Sequence, residues 1–329
     1  MHRPTQKYSR RQRGVALITA LAIASLASLA AVAMAHSLQL NIRRTGNILT
    51  ADQGFLYTLG SEAWSRGMLI RDLQDAEQAS YDGLDEDWAK ELPPTPVEGG
   101  QVQALTTDLQ ARFNLNNLYL QEESTEQEKQ QAALQLALFK RLLVLLELDE
   151  SIAQATADWL DQDINLQFPD GAEDNEYLSG ELPYRTGNSR MGHPSEIRLV
   201  KGVTDEVYEA LTPYITALPV NTPVNVNTTP PLMLQAVVNT LDEQGAEQLQ
   251  DEREENPFKN KQGFMDRLKD LLDENKVKSQ DIDPLISVTS RFYRLETTVK
   301  MEFVSQKLHS TLYKGDKDVI TISRSIGAF

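Results

Sequence analysis

The chain has 329 residues, 40% of them hydrophobic, which is more than one average domain and ample for a packed core. Its formal charge is −16, with 48 acids against 32 bases, so it lacks the basic surface that nucleic acid or anionic lipid headgroups demand. It has no cysteine, which excludes disulfides and thiol chemistry.

The first 14 residues form a basic leader with Arg3, Lys7, Arg10, Arg11 and Arg13 and no acid. Val15 to Ala35 contains no charged residue, and at helical rise it is long enough to cross the roughly 30 Å hydrocarbon core of a bilayer. The positive-inside rule places the leader in the cytoplasm and everything after Ala35 outside. Ala33-Met34-Ala35 has the small residues of a signal cleavage site. The helical pattern nevertheless continues past it through Ile48, Phe55, Leu56, Leu59 and Ala63, and no proline falls between Pro4 and Pro93. One long helix is therefore expected over 15–70, membrane-embedded in its first half and amphipathic in its second, ending near Gly67 to Arg71.

Pro93 to Pro96 and Gly99-Gly100 read as a linker or turn. Gln101 to Thr107 alternates as a strand, and the asparagines of Phe113-Asn114-Leu115-Asn116-Asn117 suit side-chain to backbone bonds in a turn. Gln127 to Leu148 carries Leu134, Leu138, Leu142, Leu145 and Leu146 at helical spacing. Ser151 is the expected cap of a second helix to Leu160, and further helices are expected at 206–215, 231–241 and 264–272. Pro223-Val224-Asn225-Val226-Asn227-Thr228 reads as a turn capping the 231–241 helix. The chain then reverts to strand at Tyr293 to Phe303, at Leu308 to Tyr313 and, after Lys314-Gly315-Asp316, at Val319 to Ser323. The fold class is α+β: a long helix on an antiparallel sheet built from 71–121 and 288–329, with a helical insertion over 122–287.

A basic leader ending in Gly14, followed at once by Val15-Ala16-Leu17-Ile18 opening an apolar helix, resembles the signal of type IV pilins and type II secretion pseudopilins. An uncleaved signal anchor is the plainer alternative. The resemblance implies that a prepilin peptidase cuts between Gly14 and Val15 and methylates the Val15 amine. Losing the leader's five basic residues would leave a charge of about −21. Most pilins carry a glutamate at the fifth mature position, and Thr19 stands there instead. A carboxylate in the bilayer costs about 2.5–3.5 kcal/mol unless partnered, and in the family its partner is the terminal amine of the subunit above. A chain without it suits the topmost place, which is similar to the K-type minor pseudopilins, as is the Phe113 to Asn116 stretch. The resemblance extends over essentially the whole chain. It implies an inner-membrane, single-pass protein that caps and helps initiate the pseudopilus, with the I-type and J-type minor pseudopilins as partners and the H type as a further candidate.

The acidic loop Asp158 to Asn165, continuing through Asp170 to Tyr177, crowds carboxylates that repel unless screened by water, salt or a hard cation. Calcium takes about six to eight oxygens from such loops. An EF-hand is excluded, because counting from Asp161 puts Leu166 where glycine is required and Ala172 where the closing glutamate is. Gly171 to Asp174 with Tyr177, and Asn188 to Met191, resemble the calcium-bearing loop of K-type pseudopilins. That likeness implies Asp161, Asp163, Asp170, Glu173 and Asp174 as ligands, with carbonyls near Tyr177 and Met191. A solvated acidic loop is the alternative reading.

Ile197 to Thr204 resembles half of a helix-hairpin-helix, but its acidic surroundings argue for a structural hairpin and no nucleic acid. His2, His36, His193 and His309 form no metal-ligand pair, and neither a GxSxG elbow nor a phosphate loop occurs. Asp161 and Asp163, adjacent on one loop, lack the fixed separation of a glycosidase couple. The expectation is therefore a non-enzymatic protein, with a signal-anchored periplasmic calcium-binding protein outside any filament as the rival reading.

Overall fold

The computed structural model describes residues 12–75, 78–91, 93–180, 182–272 and 277–327. Helix α1 (Gln12–Gln74) runs for 63 residues, about 95 Å at 1.5 Å per residue. It continues three residues past the expected stop, because Asp72 and Leu69 in its last turns are buried against the head. The membrane-length part, from Gly14 to Leu49, is exposed throughout.

The head begins with a hairpin of β1 (Thr95–Val97) and β2 (Gly100–Asp108). The proline-rich segment expected to be irregular thus contributes a short edge strand. Its turn at Glu98-Gly99 depends on Gly99 at φ 80°, a conformation that favours glycine. Next come β3 (Phe113–Asn114), α2 (Glu126–Leu145), α3 (Ser151–Leu160) and the single turn α4 (Asp174–Tyr177). They are followed by α5 (Asp205–Leu211), β4 (Ile215–Thr216), β5 (Val224–Asn225) and α6 (Pro231–Val237). The block closes with α7 (Glu243–Glu255), α8 (Lys261–Leu272), α9 (Ser279–Ile282) and β6 (Ile286–Ser287). The chain ends in the meander β7 (Phe292–Met301), β8 (Ser305–Lys314) and β9 (Val319–Ile326).

The main sheet is antiparallel in the order β1-β2-β7-β8-β9, so the strand before the helical block pairs with the first strand after it. Two parallel bridges, β3 with β4 and β5 with β6, lie within or beside the block, which is therefore not purely helical. Its core includes Phe113, Leu115 and Leu118 as well as α2, α3 and α6, with Phe113 stacked on Phe139 at 4.9 Å. A smaller core, Leu69, Trp88, Tyr293, Leu295, Leu312 and Val319, lies between α1 and the sheet.

Capping differs from expectation at two helices. Ser151 is the first residue of α3, and its N–H donates to Asp149 Oδ1 at 2.9 Å, so the aspartate supplies the acceptor. Helix α6 starts after Pro230, which provides no side-chain cap. The Asn225 and Asn227 side chains bond instead to Ser290 Oγ at 2.9 Å and to the Phe258 backbone. The Phe113 to Asn117 asparagines bond backbone locally as expected, Asn114 Oδ1 accepting from Asn116 N–H at 3.2 Å, and also over long range: Asn116 donates to the Met191 and Leu218 carbonyls and accepts from Met191 N–H, at 2.8–2.9 Å.

The buried stripe of α1 is not the apolar one expected. Ile48 and Leu56 are exposed, whereas Gly54, Thr58, Glu62, Ser65, Leu69 and Asp72 face inward at three- and four-residue spacing. Small residues let the sheet approach closely, and the acids are met by donors from it. Glu62 accepts from Arg324 at 2.8 Å and from Ser310 and Thr321 at 2.7 Å. Burial would raise the Glu62 pKa, but those bonds, with Arg324 foremost, outweigh it and bring it to about 2. Lys314 donates to Asp72 Oδ2 at 3.0 Å and to Asp82, which also accepts from Tyr293.

Candidate functional site

The last turn of α3 presents Asp158 and Asp161 to the acidic loop. Asp158 is fully buried and accepts the Gln167 N–H at 3.2 Å, which folds the loop back over the helix end. Gly171 passes so close to Asp158 Oδ2 that any Cβ would collide with it, so the turn requires glycine. This brings Glu173, 5% exposed, beside Asp161, also 5% exposed. One oxygen each of Asp161, Asp163 and Glu173 then lies within 4.8 Å of the others.

Those carboxylates are poorly satisfied. Among the described residues, Asp161 Oδ1 and both Glu173 oxygens are buried without a hydrogen-bond donor. Burial, then Asp163, pushes the Asp161 carboxyl up to about 7. Burial, then Asp158, does the same to Glu173, also to about 7. Asp158 is raised to about 6, again chiefly by burial. A hard divalent cation fits this donor set, since it would supply the missing positive charge to oxygens that no protein donor reaches.

Three of the five expected ligands converge and two do not. Asp170 is exposed and stands outside the group. Asp174 Oδ1 accepts from Thr186 N–H and Oγ1, both at 3.0 Å, and its Oδ2 faces Arg185 at 3.3 Å. The Met191 carbonyl already accepts from Asn116. Asn188 N–H donates to the carbonyl of Trp159, two residues before Asp161, at 3.0 Å, and among the described residues its Oδ1 is buried without a donor. Asp158 had a sequence signal that was not used, its i, i+3 spacing from Asp161 at a helix end.

The other candidate region is the start of α1. Gly14, Val15 and Thr19 lie in its first turns, with Val15 exposed. Thr19 Oγ1 donates to the Ala16 carbonyl at 3.0 Å, so its hydroxyl is satisfied inside the helix without any charge. Residues 1–11 of the basic leader lie outside the described residues.

The family model described as type II secretion system (T2SS), protein K matches residues 111–220 in its first-domain form and 224–288 in its second. A type II secretion system protein K from Pseudomonas aeruginosa is 33% identical over 327 residues, covering 97% of this chain and 94% of its own length. The chain belongs to the type II secretion system protein K family. A second protein K, from Aeromonas hydrophila, is 28% identical over 328 residues, covering 96% of this chain and 97% of its own length. The likeness to protein K thus takes in the apolar helix as well as the head, and that helix fits a single membrane anchor. The fold matches a chain of the GspK-GspI-GspJ complex from enterotoxigenic Escherichia coli, with a TM-score of 0.72 at 23% identity. The match covers 87% of this chain and 100% of that one.

Proposed function

We propose that this protein K is the tip subunit of a pseudopilus, anchored in the inner membrane with its head in the periplasm, and that it acts by assembly. The observation that carries the reading is the division of α1. Its inward face is occupied by the head through polar bonds, while Leu49, Leu56 and Trp64 on the outer face are 60–65% exposed. Neighbouring apolar helices would cover that face, and the burial would offset extraction from lipid. Processing between Gly14 and Val15 with methylation of Val15, the absence of an acid at Thr19, and association with I-type and J-type subunits complete the proposal. The helical block over 122–287 would be the insertion that prevents stacking above.

The proposal includes calcium held by Asp161, Asp163 and Glu173, with Asp158 and Asn188 alongside. Bound there, calcium would neutralise carboxylates that otherwise repel, and so would fix the loop that carries them. No chemical step passes through it.

The reading is tested by Gly14→Leu. The expected result is an unprocessed chain beginning at Met1 and loss of exoprotein secretion, whereas the wild-type membrane form begins with a methylated Val15 by mass spectrometry. A mature wild-type chain starting beyond Ala35 and free in the periplasm would overturn it.

A further inference from the structure

A groove of about 500 Å³ runs between the outer face of the sheet and the 191–194 and 215–219 segments of the helical block. No aspartate or glutamate lines it among the described residues, although the chain holds 48. Arg112, Arg294, Arg324, His193 and His309 line it instead. Arg324 is committed to Glu62 and the Arg294 Nε to Glu296 at 3.3 Å. The Arg112 guanidinium makes no hydrogen bond and no ion pair within 4 Å among the described residues. Burial and then Arg294 lower its pKa, Glu296 and Asp108 raise it, and the guanidinium stays cationic. Burial, followed by Arg294, lowers both histidines as well. Arg112 and Arg294 thus supply the groove's positive charge, the Arg324 guanidinium being turned to Glu62 on α1.

The rest of the lining is suited to a chain rather than to a small ion. Leu109, Ile215 and Leu218 give an apolar floor, and β9 contributes Ile322, 43% exposed. Strand β9 is the terminal strand of the sheet and its one charged residue is Arg324; Arg66 Nε of α1 caps its first carbonyl, Val319, at 2.8 Å, and among the described residues no side chain bonds the backbone of 320–326. Exposed edges are usually blunted by charge, proline or a covering element. Here Ile320 and Ile326 stand open as well.

We propose that this groove receives an extended acidic segment of a partner polypeptide, which adds to the free edge of β9 and sets a carboxylate against Arg112. Backbone pairing supplies affinity that is indifferent to sequence, and the arginine supplies the preference for an acid at one position. A free carboxylate would have the arginine but nothing to pair with the strand. The net charge of −16 disfavours acidic segments on average, which sharpens the contrast with a groove that holds no acid among the described residues. The inference stands on the groove and does not require the pseudopilin reading.

The test uses the full chain in detergent and a short fluorescent peptide of alternating valine and threonine with one central glutamate, alongside its glutamine twin. The glutamate peptide is expected to bind at least about tenfold more tightly than the twin and to slow amide exchange across 319–326. Arg112→Gln should abolish the difference between the twins without changing the melting temperature. Should that variant fold poorly, Ile322→Glu, which sets a like charge in the groove at a half-exposed position, must weaken the glutamate peptide more than its twin instead. Equal binding of the twins, unaltered exchange in β9, or displacement of the peptide by sodium acetate at equal concentration would each overturn the proposal. The last outcome would mark a small-anion pocket.

Discussion

Replacing Lys314 by methionine tests the joint between α1 and the head directly. The Lys314 ammonium, 7% exposed, sits between Asp72 and Asp82, which are 5% and 1% exposed. Burial pushes Asp82 up despite the lysine, so the pair is held only by close contact. Without the amine, Asp82 keeps the Tyr293 hydroxyl at 2.5 Å and the Ser290 N–H at 2.7 Å. Asp72 fares worse, since its Oδ2 loses its lysine and, among the described residues, the protonated Glu86 carboxyl beside it is the donor that remains. Breaking a buried pair from one side costs about 3–5 kcal/mol. For a domain of this size that is a fall of roughly 6–20 °C in melting temperature. The loss should shrink as pH is lowered and Asp82, already raised by burial, protonates, and Asp72→Asn added to Lys314→Met should recover part of it. Thermal melts of the detergent-solubilised chain measure all three. A Lys314→Met melt within about 2 °C of wild type, or a double variant no better than the single, refutes the argument.

Glu86, raised to about 9 by burial and then by Asp72, favours folding only while protonated. Its contribution is complete below the unfolded value near 4.5 and disappears as pH climbs toward 9. Glu86→Gln keeps acceptors for Trp88 and Gly83, so its melting temperature should lose that slope, and a parallel decline in both proteins would count against the assignment. Calcium at a hundredfold excess over its dissociation constant should stabilise the chain by about 2.7 kcal/mol, read as a higher melt that chelator reverses. Glu173→Gln and Asp161→Asn should remove the rise, and an equal rise in the variants would place the ion elsewhere. Asn116→Ala leaves Met191 and Leu218 backbone groups without partners and should cost about 2–4 kcal/mol in a denaturant titration. A loss under 1 kcal/mol would mean that water replaces the amide.

Much of this architecture was legible where periodicity is strong. The uncharged run from Val15 to Ala35, the leucines of α2 and the alternation in β7 and β8 each specify one element. Helix α7 went unread because Glu243 to Glu255 is mostly Glu and Gln with a single large apolar residue, Leu249, burying only Gly245, Ala246, Leu249 and Arg253 along one side. The inward face of α1 was misjudged for a related reason: a helix packed on a sheet by hydrogen bonds shows small and polar residues where an apolar stripe is sought. Glu62, Ser65, Leu69 and Asp72 keep helical spacing, but their partners Ser310, Lys314, Thr321 and Arg324 are more than 200 residues away. The acidic loop was visible as a charge run, yet which carboxylates meet is decided by the fold-back at Gly171. That turn separates Glu173 from Asp170 and lets Thr186 claim Asp174.

Glu62 and Asp72 are ten positions apart on α1, about 15 Å along its axis, and each is fastened to a different part of the meander. Greasy surfaces slide past one another with little resistance, whereas ionic and hydrogen-bonded fastenings have fixed lengths and resist shear. Thrust delivered along the rod would therefore reach the head through fastenings of fixed length, these two among them, which hold the rod against drift in depth or rotation under load.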